Sequence, residues 1–189
     1  ISAMRCVGTG YSSFANSIRA EAYKRLAISQ SRDRYLIILA PFAGCVWEGR
    51  SSIGEFSSGG VTITMQNSAS PFVIAHELGH ALGLGHSNYM VCSSGASDGP
   101  WGRDCSAVEY GGTMDLMGNV ETYAPLSTYH QWRMGFIDNE QIKQSWLSES
   151  IELSAVDVAS GTRAIFIRDG NSTYWIEYRR ARPESNYKA

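Results

Sequence analysis

Phe14, Ile18, Ala22 and Leu26 recur at every fourth position, with Arg19, Glu21, Lys24 and Arg25 set between them. That spacing gathers the apolar residues on one stripe, so residues 12–28 are expected to form an amphipathic helix, with Ser12 or Ser13 able to cap its start. Tyr35-Leu-Ile-Ile-Leu-Ala40 is instead a continuous apolar run ended by Pro41, as expected of a buried strand. Residues 44–54, glycine-rich and carrying Cys45, Val46 and Trp47, are expected to hold a strand and a turn. Val61-Thr-Ile-Thr-Met-Gln66 alternates β-branched and polar residues, which suits a strand with one face exposed. Ser70 followed by Pro71 is favoured helix-start chemistry, and Phe72, Val73, Ala75 and Leu78 then give that helix a face to pack on a sheet.

Residues 87–112 are rich in Ser, Gly and Asp and read as a long loop, after which a helix starting near Ser127 carries Tyr129 to Met134. Past residue 147 the pattern turns to strands: Ile151–Val156, Arg163–Ile167 and Thr173–Tyr178, separated by turns bearing Gly and Asn. The chain therefore reads as α+β. Residues 1–146 are expected to form one domain, and residues 147–189 a β-rich C-terminal segment that could open a further domain.

Composition changes the picture only at its edges. A chain of 189 residues fits one ordinary domain, and 43% hydrophobic content suffices for a core. A net charge of −2 excludes strong steering toward nucleic acid or an anionic membrane, and no apolar run is long enough to span a bilayer. The chain begins at Ile1 with neither an initiator methionine nor a signal-like segment, which suggests a processed mature portion of a longer parent. Cys6, Cys45, Cys92 and Cys105 contain no close C-x-x-C pair, so two disulfides in a secreted protein is the favoured reading. Proximity along the chain favours Cys92–Cys105, pinning the 87–112 loop, and Cys6–Cys45.

Chemistry concentrates in residues 76–86, His-Glu-Leu-Gly-His-Ala-Leu-Gly-Leu-Gly-His, which hold three of the four histidines. On a helix, His76 and His80 stand one turn apart on one face and can reach a common zinc ion. Gly83 can leave the right-handed region without steric penalty, and Gly85 adds a second permissive point, so the chain can swing His86 to the same metal. Three protein ligands leave the fourth zinc position open, the mark of a catalytic rather than a structural site. Glu77 points off the histidine line and can serve as general base. The plain alternative is a buried amphipathic helix whose histidines merely hydrogen-bond, which the full pattern makes the weaker reading. Calcium has no EF-hand-like spacing to support it, although the loops offer Asp, Asn and Gly.

The run resembles the zinc signature of the metzincin metalloproteases. Downstream, Tyr110-Gly-Gly-Thr-Met-Asp-Leu-Met-Gly118 resembles their methionine turn in the Asp-x-Met-Gly form of the gametolysin family. Leu84-Gly-His-Ser87, the paired loop cysteines, Glu109-Tyr110-Gly111, Tyr129 to Gly135 and, more weakly, Cys45 to Gly49 extend that likeness. It implies a metzincin-type catalytic domain, a mixed twisted sheet with the zinc helix beneath it. Met117, with Met114 as runner-up, would be the turn methionine under the imidazoles. Asn119 stands where some metzincins place a tyrosine, so no oxyanion-steadying tyrosine is carried over, and Tyr110 and Tyr123 are weak substitutes. The resemblance also implies protein or peptide substrates bound in extended form along a sheet edge, for which Val61–Gln66 is a candidate with an interior strand as the equal alternative, and Trp101 is a candidate subsite residue. The activity implied is a secreted zinc endopeptidase. Two rivals remain: a zinc-stabilised extracellular binding or adhesion module, and a zinc amidohydrolase acting on non-protein amides.

Overall fold

The computed structural model describes residues 11–29, 35–39, 45–55, 62–66, 69–93, 104–119, 124–146, 148–170 and 172–181. The chain is a mixed α+β protein that divides into two compact units, Ile1–Gly85 and His86–Ala189.

In the first unit, helix α1 (Tyr11–Leu26) is the expected amphipathic one, and its buried Phe14, Ile18 and Ala22 form a cluster with Ile38. Ile38 belongs to β1 (Leu36–Leu39), and the partly buried Leu36, Cys45 and Trp47 pack on the same cluster. Trp47 meets Phe14 edge-on, with ring centroids 6.0 Å apart. Strands β2 (Gly49–Ser51) and β3 (Thr62–Met65) complete a three-stranded sheet in the order β1-β3-β2. β1 runs parallel to β3, and β2 runs antiparallel to it.

Helix α2 (Pro71–Ala81) supplies a second cover: Ala81 joins Ile63 and Met65 in a cluster against which Ile74, Tyr35 and Ala69 pack. Alternation along β1 and β3 therefore serves two helices. Leu36 and Ile38 turn toward the α1 cluster, whereas Ile63 and Met65 join the α2 cluster.

Two expectations for residues 61–66 are corrected here. β3 is buried on both faces, since Ile63, Thr64 and Met65 are all at most 1% exposed. The polar-looking position is accommodated because the Thr64 hydroxyl donates to the Arg50 carbonyl. Nor is β3 an edge: it has a hydrogen-bonded strand on each side, and β2 stands at the end of the strand order among the described residues.

The second unit begins with an antiparallel hairpin, β4 (Tyr89–Cys92) and β5 (Cys105–Val108), within the stretch that reads as loop from sequence. Its strands are four residues long and mostly exposed, so neither carries an apolar alternation that would announce it. The expected Cys92–Cys105 disulfide closes the far end, where those two residues are register partners. Cys45 is also disulfide-bonded; its expected partner, Cys6, lies outside the described residues.

Helix α3 (Thr128–Arg133) starts as expected at Ser127, whose hydroxyl accepts the His130 N–H. A 3-10 turn (Asn139–Gln141) leads into β6 (Ile142–Gln144), which pairs parallel with β7 (Ala164–Asp169); β7 in turn pairs antiparallel with β8 (Ser172–Ile176). The sheet's third strand is thus β6, a segment too short to show a pattern. Ile151–Val156 is not a strand, and makes only a bridge between Ala155 and Tyr178. Among the described residues, no helix is long and apolar enough to cross a membrane.

Candidate metal centre

Ser70 accepts the Val73 N–H and Pro71 opens the first turn, so α2 begins where the sequence directs it. The helix ends in a Schellman arrangement: the Gly83 N–H donates to the His80 carbonyl and the Leu84 N–H to the Gly79 carbonyl. Gly83 makes this possible at φ +99°, a value that strains any residue with a Cβ. Gly85, the other expected flex point, is not among the positive-φ residues. Buried Leu84 then fixes the exit, and its carbonyl accepts a hydrogen bond from His80 Nδ1–H at 2.8 Å. With its proton on Nδ1, His80 carries its lone pair on Nε2, the form of the ring that a metal ligand takes.

His76 Nε2 and His80 Nε2 lie 3.1 Å apart, close to the roughly 3.3 Å that separates two nitrogens bound at about 2.0–2.1 Å to one tetrahedral ion. The ligand atoms of His76, His80 and His86 all fall within 4.8 Å of one another. His86 has its Nδ1 held 2.8 Å from Glu109 Oε1, and the Tyr110 ring packs on its own, with centroids 3.6 Å apart. Three imidazoles at this spacing, two with Nδ1 anchored elsewhere, form a donor set suited to a divalent transition metal.

Glu77 is 8% exposed, and the fit that buries it depends on Gly49. A Cβ on Gly49 would come within 2.6 Å of Val73 Cγ1 and 2.8 Å of Glu77 Cγ. Burial pushes the Glu77 carboxyl up to about 7, against the lowering effects of a Ser51 backbone hydrogen bond and the Arg50 charge. Its Oε2 has no hydrogen-bond partner among the described residues. A buried carboxylate oxygen left unpaired costs stability unless something else occupies it. It stands one residue from a metal-ligand candidate, where a catalytic base needs free acceptor capacity.

Met117 is fully buried, whereas Met114 is 47% exposed. The Met117 carbonyl accepts the Ser87 N–H at 2.8 Å, which ties the methionine segment to the residue following His86. Asp115 holds that segment's shape. Its Oδ1 accepts the Met117 N–H at 2.7 Å, and its Oδ2 accepts the Ser127 N–H at 2.8 Å and faces His130 Nδ1 at 3.0 Å. Burial raises the Asp115 carboxyl, but the His130 hydrogen bond and charge, with the Ser127 and Met117 contacts, leave it below the ordinary value.

Beyond them, Glu177 Oε2 accepts both the N–H and the hydroxyl of Thr128, and Arg179 donates to the Met114 and Pro125 carbonyls. His130, Glu177 and Arg179 had no role assigned from sequence, and Asp115 entered only as the first residue of the Asp-x-Met-Gly motif. The one available signal was that His130 is the single histidine outside the run. Tyr123 and Trp101 lie outside the described residues.

No curated protein and no solved structure matches the chain. A family model does: that of Peptidase M66, a metallopeptidase family, over residues 27–152. The match covers about two thirds of the chain and includes α2 with its histidines, the β4–β5 hairpin, the Met117 segment and α3. By that match the chain belongs to the Peptidase M66 family.

Proposed function

We propose that this chain is a secreted zinc endopeptidase of the metzincin type, similar to the gametolysin family, in which His76, His80 and His86 hold the ion and Glu77 is the general base. The observation that carries the reading is the gathering of three imidazole donors beside a buried carboxylate with an unpartnered oxygen. Zinc is favoured over other ions because an all-imidazole set with an open position is typical of catalytic zinc. When bound, the ion supplies Lewis-acid chemistry, acidifying water and polarising the peptide carbonyl.

The chain's own residues do the rest. Glu77 Oε2 accepts the proton of the attacking water and returns it to the departing amine. Gly49 and the Ser51 N–H hold the Glu77 carboxylate in one orientation, so the base needs little rearrangement. Met117, buried and tied through Ser87 to the residue after His86, serves as the apolar floor of the site.

Peptide substrates would add in extended form to the outer edge of β2, since main-chain hydrogen bonds there need no particular side chain. Position supports this: β2 ends the strand order among the described residues and carries Gly49 and Ser51 beside Glu77. Secretion is supported by the Cys92–Cys105 disulfide and the bonded state of Cys45.

Glu77→Ala tests the assignment. The variant should fold and retain zinc while peptide cleavage falls by about 10²–10⁴-fold, the usual contribution of a general base. Cleavage at the wild-type rate would overturn the role given to Glu77.

A further inference from the structure

We infer that Glu109 is a positioning residue that fixes the tautomer and orientation of His86 for metal binding; the inference rests on the metal site proposed above. Glu109 Oε1 lies 2.8 Å from His86 Nδ1. An ionised carboxylate only accepts hydrogen bonds, so this contact requires the proton on Nδ1 and leaves the Nε2 lone pair for the ion. His80 obtains the same result from the neutral Leu84 carbonyl, also at 2.8 Å. A carboxylate does more than a carbonyl: its charge raises the basicity of the imidazole toward the metal, and losing such a partner typically costs about 10–100-fold in metal affinity.

The backbone around Glu109 is built to deliver it. The chain leaves β5 at Val108 and turns, the Gly111 N–H donating back to the Val108 carbonyl. Within that turn Tyr110 adopts φ +60°, a conformation that costs a residue with a side chain and persists only where its surroundings impose it. They do so here. The Tyr110 N–H donates to Asn88 Oδ1 at 3.1 Å, and its carbonyl accepts the Asn119 N–H at 2.9 Å. The held conformation sets the Tyr110 ring against His86 on one side while Glu109 meets its Nδ1. His86 is thereby restrained in both ring plane and tautomer.

Stability alone does not explain this arrangement. The Glu109 side chain is 70% exposed, and a polar contact that open to water contributes little to folding. Its value appears when a metal makes the His86 tautomer matter.

The test compares zinc affinity, by competition with a chromophoric chelator, with thermal unfolding of the metal-free protein. Glu109→Ala should weaken zinc binding by about tenfold or more. Glu109→Gln, whose neutral amide oxygen can still accept from Nδ1–H, should recover part of that loss, restoring the tautomer without the charge. Metal-free unfolding should be unchanged in both. Zinc affinity within twofold of wild type in Glu109→Ala would overturn the inference, as would losses in both variants that merely follow a fall in metal-free stability. His86→Ala separates the two levels: if it binds zinc like the wild type, the metal site itself is misassigned. If it loses zinc while Glu109→Ala does not, only the role of Glu109 fails.

Discussion

Glu77 depends on a neighbour that has no side chain. Gly49 lets β2 pass close against the carboxylate, and a methyl group there would occupy the space of both Val73 and Glu77. Gly49→Ala is therefore expected to destabilise the protein by about 1–3 kcal/mol, the usual range for overpacking, and to move the base from its place. Urea denaturation checks the first effect. Peptide cleavage at saturating zinc checks the second, and activity equal to wild type would show that Glu77 tolerates the shift. The two residues differ in how readable they were. Glu77 stood out as a candidate because helical spacing and zinc chemistry act over eleven consecutive positions. Gly49 sits 28 residues upstream in a glycine-bearing stretch, where nothing local marks which glycine meets Glu77. The roles of Glu109, Asp115 and Arg179 were hidden for the same reason, although the first two lie in stretches that carry the family resemblance, since each acts on residues distant in sequence.

Elements with chemical start and stop signals were legible, whereas elements made by pairing were not. Ser70, Pro71 and Gly83 delimit α2, and Ser127 caps α3, because caps act within a few residues. The β4–β5 hairpin and β6 arise from partners elsewhere in the chain, and their short exposed strands bury too little to leave a pattern. Between the Met117 segment and α3, the buried Asp115–His130 pair is the main polar link. The Asp115 carboxyl is depressed in the folded state, so its contribution is fully present above the unfolded value of about 3.9 and is lost as pH falls through the lower folded value. Leaving the buried donors that face Asp115 without their charged acceptor costs about 1–3 kcal/mol. Asp115→Asn should show a loss of that order in chemical denaturation at pH 7, with the gap to wild type narrowing in strong acid. A gap independent of pH would mean that the charge on Asp115 contributes nothing.

At the scale of the whole molecule, the α+β class followed from the order of patterns, but the strand order did not. Alternation placed residues 61–66 in a sheet, yet only the pairing shows that β3 is interior and β2 lies at the end. The family match covers the histidine run, the Met117 segment and α3, and stops at residue 152, before Glu177 and Arg179. Those two residues hold Thr128 and the Met114 and Pro125 carbonyls, so β8 and its extension support the segment that carries Met117. On the proposed function, a zinc ion on His76, His80 and His86 drives peptide cleavage in a fold that stands without it. The most direct measurement strips the protein with a chelator and follows casein cleavage and far-ultraviolet circular dichroism while zinc is returned. The stripped protein is expected to keep its secondary structure, lose cleavage, and regain it with about one zinc per chain. Cleavage that persists without metal would contradict that function, and so would a chain that unfolds on stripping, the behaviour of a zinc-dependent binding module.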